Sequence, residues 1–219
     1  MKTTTERLQG LYVITDHALS QQHHLSLEEM VAAAIRGGAR IVQYRNKTSA
    51  DQERRREAQA IAELCQTHDV LFLINDDVQL AVAVGADGVH LGQGDASLTH
   101  AREMLGPQRI IGVTCHAQID LALAAQRDDA DYVAFGRFFP SKTKPDAPPA
   151  TLAILQQACS QLTIPIAAIG GITPDNAPTL LAHGADMLAV IHSVFAADDI
   201  AAAAGEYARL FTLQSRHAS

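Results

Sequence analysis

Val70-Leu71-Phe72-Leu73-Ile74-Asn75-Asp76-Asp77-Val78-Gln79-Leu80-Ala81-Val82-Ala83-Val84-Gly85-Ala86-Asp87-Gly88-Val89-His90-Leu91-Gly92-Gln93-Gly94-Asp95 contains the repeating unit of the chain. The apolar run 71–74 reads as a strand buried on both faces. A polar turn follows, and Asp77, just ahead of Val78 and Leu80, has the placement of a helix N-cap. The stretch 77–84 reads as a helix. Gly85 just past it suits the left-handed conformation that caps the last carbonyls. A second apolar run, 89–91, then ends in a Gly-rich polar turn.

The same unit recurs in both directions. Strands are expected at 11–15, 41–44, 71–74, 89–91, 110–113, 132–135, 166–169 and 187–191. Helices are expected at 27–36, 51–67, 77–84, 98–105, 119–126, 151–161, 174–182 and 197–211. Strict alternation argues for a parallel sheet with helical crossovers. Eight units in 219 residues argue for an α/β fold closed into a single (β/α)8 TIM barrel, with an open doubly wound sheet as the alternative. One domain is expected over residues 1–219, with 1–10 and 212–219 as poorly ordered tails. Gly37-Gly38-Ala39, Gly85-Ala86-Asp87, Asp129-Ala130-Asp131 and Gly184-Ala185-Asp186 each precede an apolar strand. They read as helix-to-strand turns on the bottom face, serving stability.

The formal net charge of -7 makes a poor nucleic-acid binder, since a phosphate backbone rewards clustered Lys and Arg. The one dense basic run, Arg54-Arg55-Arg56, lies among Glu53 and Glu57 and reads as a solvated helix face. Cys65, Cys115 and Cys159 are odd in number and far apart, which points to reduced thiols and a cytoplasmic protein. Residues 1–10 lack an apolar signal core, and no stretch of about 18 apolar residues would span a membrane. Small-molecule substrates are the expected partners, and a homo-oligomer is compatible with everything above.

In a barrel of this kind the chemistry sits where strands end. Asp76 and Asp95 project from the ends of adjacent strands. Two carboxylates about 4 Å apart repel by roughly 4 kcal/mol at an effective dielectric of about 20. A hard divalent ion such as Mg²⁺ would relieve that repulsion, and helix capping is the plainer alternative. Gly170-Gly171 lets backbone amides approach an anion without a Cβ in the way. A helix expected to begin near Thr173-Pro174 would add its free amides and dipole; a simple tight turn is the alternative. Arg45, Lys47 and Lys144 supply cations at the same rim, though each could pair with a surface acid instead. A divalent ion, a glycine anion hole and three cations imply more than one phosphate group.

These segments, in this order, resemble the thiamine phosphate synthase family. The match lies in Leu11-Tyr12-Val13-Ile14-Thr15-Asp16, Val42-Gln43-Tyr44-Arg45-Asn46-Lys47, Ile74-Asn75-Asp76-Asp77-Val78 and Gly85-Ala86-Asp87-Gly88-Val89-His90-Leu91-Gly92-Gln93. It continues in Gly112-Val113-Thr114, Phe139-Pro140-Ser141-Lys142-Thr143-Lys144 and Ala168-Ile169-Gly170-Gly171-Ile172. The resemblance implies a Mg²⁺-dependent transferase that joins 4-amino-5-hydroxymethyl-2-methylpyrimidine diphosphate to a (carboxy)thiazole phosphate. The products would be thiamine phosphate and pyrophosphate. By position, Gln43, Tyr44, Arg45, Asn46, Lys47, Asn75 and Thr114 would hold the pyrimidine diphosphate, and Asp76 and Asp95 the metal. Ser141, Lys142 and Thr143 would meet the thiazole substrate, and Gly171, Ile191 and His192 its phosphate. Arg45, Lys47, Lys144 and Thr114 are the residues this assigns to catalysis.

Three positions depart from the family pattern. Thr114 replaces a frequent Ser and keeps the hydroxyl. Arg137 stands where Pro is common, and His192 where Ser is frequent. His116 has no evident task as a base in this chemistry, and Cys115 reads as packing. A thiazole tautomerase would not need the diphosphate apparatus. A sugar-phosphate isomerase should show an acid–base pair in place of a basic cluster. A sensor of thiamine phosphate would have no use for leaving-group residues.

Overall fold

The computed structural model describes residues 4–47, 50–140 and 148–217. In chain order the elements are α1 (Thr4–Arg7), β1 (Gly10–Ile14), α2 (His17–Ser20), α3 (Leu27–Arg36), β2 (Ile41–Tyr44), α4 (Asp51–Thr67), β3 (Leu71–Asn75) and α5 (Val78–Val84). They continue as β4 (Gly88–Leu91), α6 (Leu98–Leu105), β5 (Ile110–His116), α7 (Ile119–Arg127), β6 (Tyr132–Gly136), α8 (Leu152–Gln161), β7 (Ile166–Ile169), α9 (Ala177–Ala182), β8 (Met187–Val190), α10 (His192–Phe195) and α11 (Ile200–His217). All eight expected strands are present. Each pairs in parallel with its sequence neighbours, and β8 closes on β1 with Gly10 opposite Met187 and Val13 opposite Val190. The fold is a TIM barrel, with α1, α2 and α10 as short additions to the expected alternation.

Side chains alternate across each strand and build two apolar layers. Leu11, Val13, Val42, Phe72 and Leu188 face the helices. Tyr12, Ile14, Ile41, Leu73, Ile110, Tyr132 and Met187 fill the bore, and Leu8 joins this inner cluster from the turn after α1. The β6–β8 side contributes Ala134, Ala167 and Ala189. Those small side chains leave room for the two inward tyrosines.

Helix ends follow their sequence signals. Ser26 and Glu29 form a reciprocal capping box at α3, and Asp77 Oδ1 accepts from Leu80 N at 2.9 Å as the cap of α5. Gly85 closes α5 with φ 66°, as left-handed C-caps require. The acids after these caps tie adjacent strands together. Asp87, Asp131 and Asp186 each accept a strand-entry amide, from Phe72, Ile111 and Ile166, at 2.8 Å in every case. Asp131 also receives Arg102 at 2.7 Å. The bottom-face echo is thus a repeated backbone clamp.

Replacing Asp131 with Ala leaves the Ile111 amide without its acceptor and removes the carboxylate paired with Arg102, which keeps its backbone acceptors. A loss of about 1–3 kcal/mol is expected, read as a lower urea midpoint at unchanged slope. An unmoved midpoint would show that the clamp contributes nothing.

Candidate active site

The mouth is built where β1 to β5 and β7 to β8 end. Thr15 follows β1 and is fully buried. Its hydroxyl accepts from Arg45 N at 2.8 Å and donates to Arg45 O at 3.2 Å, which pins the loop after β2. Glu57 on α4 holds the same loop from behind. Its Oε2 accepts from Tyr44 Oη at 2.6 Å and from Asn46 Nδ2 at 2.9 Å, while His17 Nδ1 lies 3.2 Å from Asn46 Nδ2. Burial, then the neighbouring Glu57, pushes the Tyr44 phenol far above its ordinary range. With Tyr44 and Asn46 turned inward, Arg45 is half-buried and Lys47 exposed at the rim.

Asp76 and Asp95 do converge. Asp76 has φ 63°, a left-handed backbone that Asp adopts more readily than most residues. Its amide donates to His90 O at 2.9 Å, tying the turn to β4. Asp95 closes the Gly92-Gln93-Gly94 turn by accepting from Gly92 N at 2.7 Å. The two carboxyl groups share a hydrogen bond, and Lys47 Nζ lies 2.9 Å from Asp76 Oδ2. Burial and then the hydrogen bond to Asp76 raise the Asp95 carboxyl above its usual range. Burial also presses Asp76 upward, but hydrogen bonds from Asp95, Lys47 and Asn75 outweigh it and hold Asp76 low. Two acids held this close call for a counter-charge, and Lys47 supplies one to Asp76. Among the described residues no group of three or more His, Cys, Asp or Glu is placed to hold a metal. The donor set is two carboxylates with open directions, which suits a hard ion that takes its other oxygens from water or a diphosphate.

Asp77 turns from the mouth to its capping role and accepts Arg54 at 2.6 Å. Arg54 is therefore not part of a solvated face, whereas Arg55 and Arg56 are exposed. The sequence hid this because Asp77 lies 23 residues further on.

β5 runs to His116, three residues past its expected end, with a register shift between Thr114 and His116. Thr114, still in register opposite Ala134, points into the bore with Oγ1 2.8 Å from His90 Nε2, and Gln93 Nε2 donates to Thr114 O at 2.6 Å. Cys115 is fully buried, and burial pushes its thiol up to about 12, which fits packing and not nucleophilic attack.

The loop after β7 departs from expectation. Gly170 and Gly171 have φ 104° and 64°, and a side chain at Gly171 would run into the carbonyls of Phe139 and Pro140. The next helix, however, begins at Ala177 and not near Thr173. Asn176 takes the Thr173 amide at 2.9 Å and donates to Gly171 O at 3.1 Å. Pro174 sits in this turn, so the first helical amides are displaced from the glycines. Tyr207 on α11, a residue the sequence did not flag, donates to Ile172 O at 2.9 Å and hydrogen-bonds Ser193. It joins the loop after β7 to the loop after β8, where Ile191 and His192 are half-buried. Ser141, Lys142, Thr143 and Lys144 lie outside the described residues.

Residues 11–194 match the thiamine monophosphate synthase family. A thiamine-phosphate synthase from Alcanivorax borkumensis is 52% identical over 193 residues, 88% of either chain. One from Thioalkalivibrio sulfidiphilus is 49% identical over 211 residues, 96% of this chain and 99% of that one. The solved thiamine phosphate pyrophosphorylase from Pyrococcus furiosus superposes with a TM-score of 0.85 at 35% identity, covering 94% of this chain and 97% of that one. The chain belongs to the thiamine monophosphate synthase family of enzymes, transferases of thiamine biosynthesis.

Proposed function

We propose that the enzyme condenses 4-amino-5-hydroxymethyl-2-methylpyrimidine diphosphate with a thiazole phosphate, carboxylated or not, and releases pyrophosphate with the aid of Mg²⁺. The observation that carries this reading is the convergence of Asp76, Asp95 and Lys47 at one rim, where two carboxyl groups meet and Lys47 Nζ lies 2.9 Å from Asp76 Oδ2. Mg²⁺, held by Asp76 and Asp95, would neutralise charge on the departing diphosphate.

The rest of the task falls to side chains of the chain itself. Arg45, positioned by Thr15, and Lys47 flank the diphosphate and stabilise the charge that grows as the carbon–oxygen bond breaks. Lys144 adds a third cation to the same phosphates. Gln43, Asn75 and Thr114 orient the pyrimidine, while Tyr44 and Asn46, held by Glu57, brace the loop that carries Arg45 and Lys47. The methylene cation left behind is captured by the thiazole nitrogen. That second substrate is held by Ser141, Lys142 and Thr143, with its phosphate on the backbone of Gly171, Ile191 and His192. The stabilisation asked of these groups is electrostatic, and no general base is required. Such a reaction belongs in the cytoplasm, with no nucleic acid or membrane involved. Among the described residues no helix is long and apolar enough to cross a membrane.

Asp95→Asn keeps an acceptor for the Gly92 amide and removes the charge. It should lower kcat/KM by about 100-fold or more, with part recovered at high Mg²⁺. Activity and Mg²⁺ dependence equal to the parent enzyme would remove the metal assignment. Lys144→Ala should weaken transition-state stabilisation by about 1.5–3 kcal/mol, the range of a charge-assisted hydrogen bond. Steady-state kinetics with varied pyrimidine diphosphate measures this, and unchanged constants would exclude Lys144 from the site.

A further inference from the structure

Five polar side chains form a continuous hydrogen-bonded chain across the bore, directly beneath the mouth. Gln43 Nε2 on β2 donates to Tyr12 Oη on β1. Tyr12 Oη lies 2.9 Å from Tyr132 Oη on β6, and Tyr132 Oη lies 2.8 Å from His90 Nδ1 on β4. His90 Nε2 reaches Thr114 Oγ1 on β5 at 2.8 Å. Gln43, Tyr12 and Tyr132 are buried to within 2%. The His90 ring stacks on Tyr132, with centroids 5.5 Å apart and planes at 27°, and Tyr12 meets Tyr132 edge-on at 6.2 Å. Gly112 lies between His90 and Tyr132 in the strand register, and the Tyr132 ring fills the space that its Cβ would need. Two phenols in an apolar bore are costly unless each hydroxyl is satisfied, and this chain satisfies both.

The chain has a direction. Burial drives both phenols well above their ordinary range, so both keep their protons. Each hydroxyl has one proton to donate. With Gln43 donating into Tyr12, the one arrangement that leaves no hydroxyl proton in the chain unused sends the Tyr12 proton to Tyr132 and the Tyr132 proton to His90 Nδ1. A ring that accepts at Nδ1 is neutral and carries its proton on Nε2. That proton goes to Thr114 Oγ1, and the Thr114 hydroxyl proton is left to donate elsewhere. The two ends are therefore of opposite character. Gln43 Oε1 remains an acceptor, and Thr114 becomes a donor.

We propose that His90, acting with Tyr12 and Tyr132, is a positioning residue. It fixes Gln43 as acceptor and Thr114 as donor, and so selects a heteroaromatic ring with an amino group beside a ring nitrogen. This rests on the reading above that Gln43 and Thr114 face the pyrimidine. Neither His90 nor the tyrosines need touch the substrate. A reversed chain would present a donor at Gln43 and an acceptor at Thr114, which suits an oxo-pyrimidine instead.

The test compares the amino-pyrimidine diphosphate with its analogue lacking the exocyclic amine, in the parent enzyme, Tyr132→Phe and Tyr12→Phe. Each variant keeps the ring and removes one link. The expected result is a fall of about tenfold in discrimination between the two compounds. It should appear in KM for the pyrimidine with KM for the thiazole phosphate unchanged, a split that general loosening would not give. Ring ¹⁵N spectra of the parent enzyme without substrate should show His90 protonated on Nε2 only, and Tyr132→Phe should yield mixed tautomers. Retained discrimination in both variants, or a proton on Nδ1 in the parent, would overturn the proposal. A parent enzyme that forms no thiamine phosphate would instead defeat the functional reading, and the ring spectrum would still decide the direction of the chain.

Discussion

Closure of the sheet governs everything else in this molecule. With β8 hydrogen-bonded to β1, no strand edge is left unpaired, and the interior becomes a bore of fixed width that side chains must fill. Two tyrosines, several branched aliphatics and three alanines fill it. Because strand ends are locked in register, residues far apart in sequence meet with small tolerance at one rim. Asn75 sits opposite His90, and His90 opposite Gly112. The carboxylate pair follows from that alignment: Asp76 comes directly after β3 and Asp95 closes the turn after β4.

The two faces of the barrel divide the work. At the bottom, Asp87, Asp131 and Asp186 spend their carboxylates on strand amides, and Gly85 ends a helix in left-handed backbone. At the top, carboxylates and cations face one another, and only part of their charge is satisfied internally. Fixed bottom turns permit the top to hold two acids side by side, since the repulsion acts on a frame that cannot spread.

Much of this was legible in the sequence because the governing signals are local. Apolar runs of strand length, the cap at Asp77 and the glycine at 85 all act within a few residues. The rule that chemistry follows strand ends then picked out Asp76, Asp95 and Thr114, while Gln43, inside β2, came only from the family resemblance. What escaped notice depends on distant partners or on fine register. Arg54 appeared to be solvated until Asp77 was seen beside it. α9 starts at Ala177, after a turn in which Thr173 and Asn176 exchange side-chain-to-amide hydrogen bonds. β5 extended through Thr114 by an irregularity that no periodicity announces. Tyr12, Tyr132 and His90 stood inside apolar strands, where a buried hydroxyl or imidazole signals a partner without naming it. Tyr207, near the other end of the chain from Tyr12, carried no local sign of its contact with Ile172.

That contact also bears on when the enzyme can exist during synthesis. β1 precedes the other strands in the chain yet pairs with β8, and the loops after β7 and β8 are tied together by a phenol on α11. Everything from β1 to α11 must have left the ribosome before the mouth acquires its shape. Until β8 is made, β1 has no partner on that side, and an unpaired strand edge is prone to aggregate. The mouth is therefore completed only once α11 is in place, and a fragment ending before α11 lacks the phenol that joins the loops after β7 and β8.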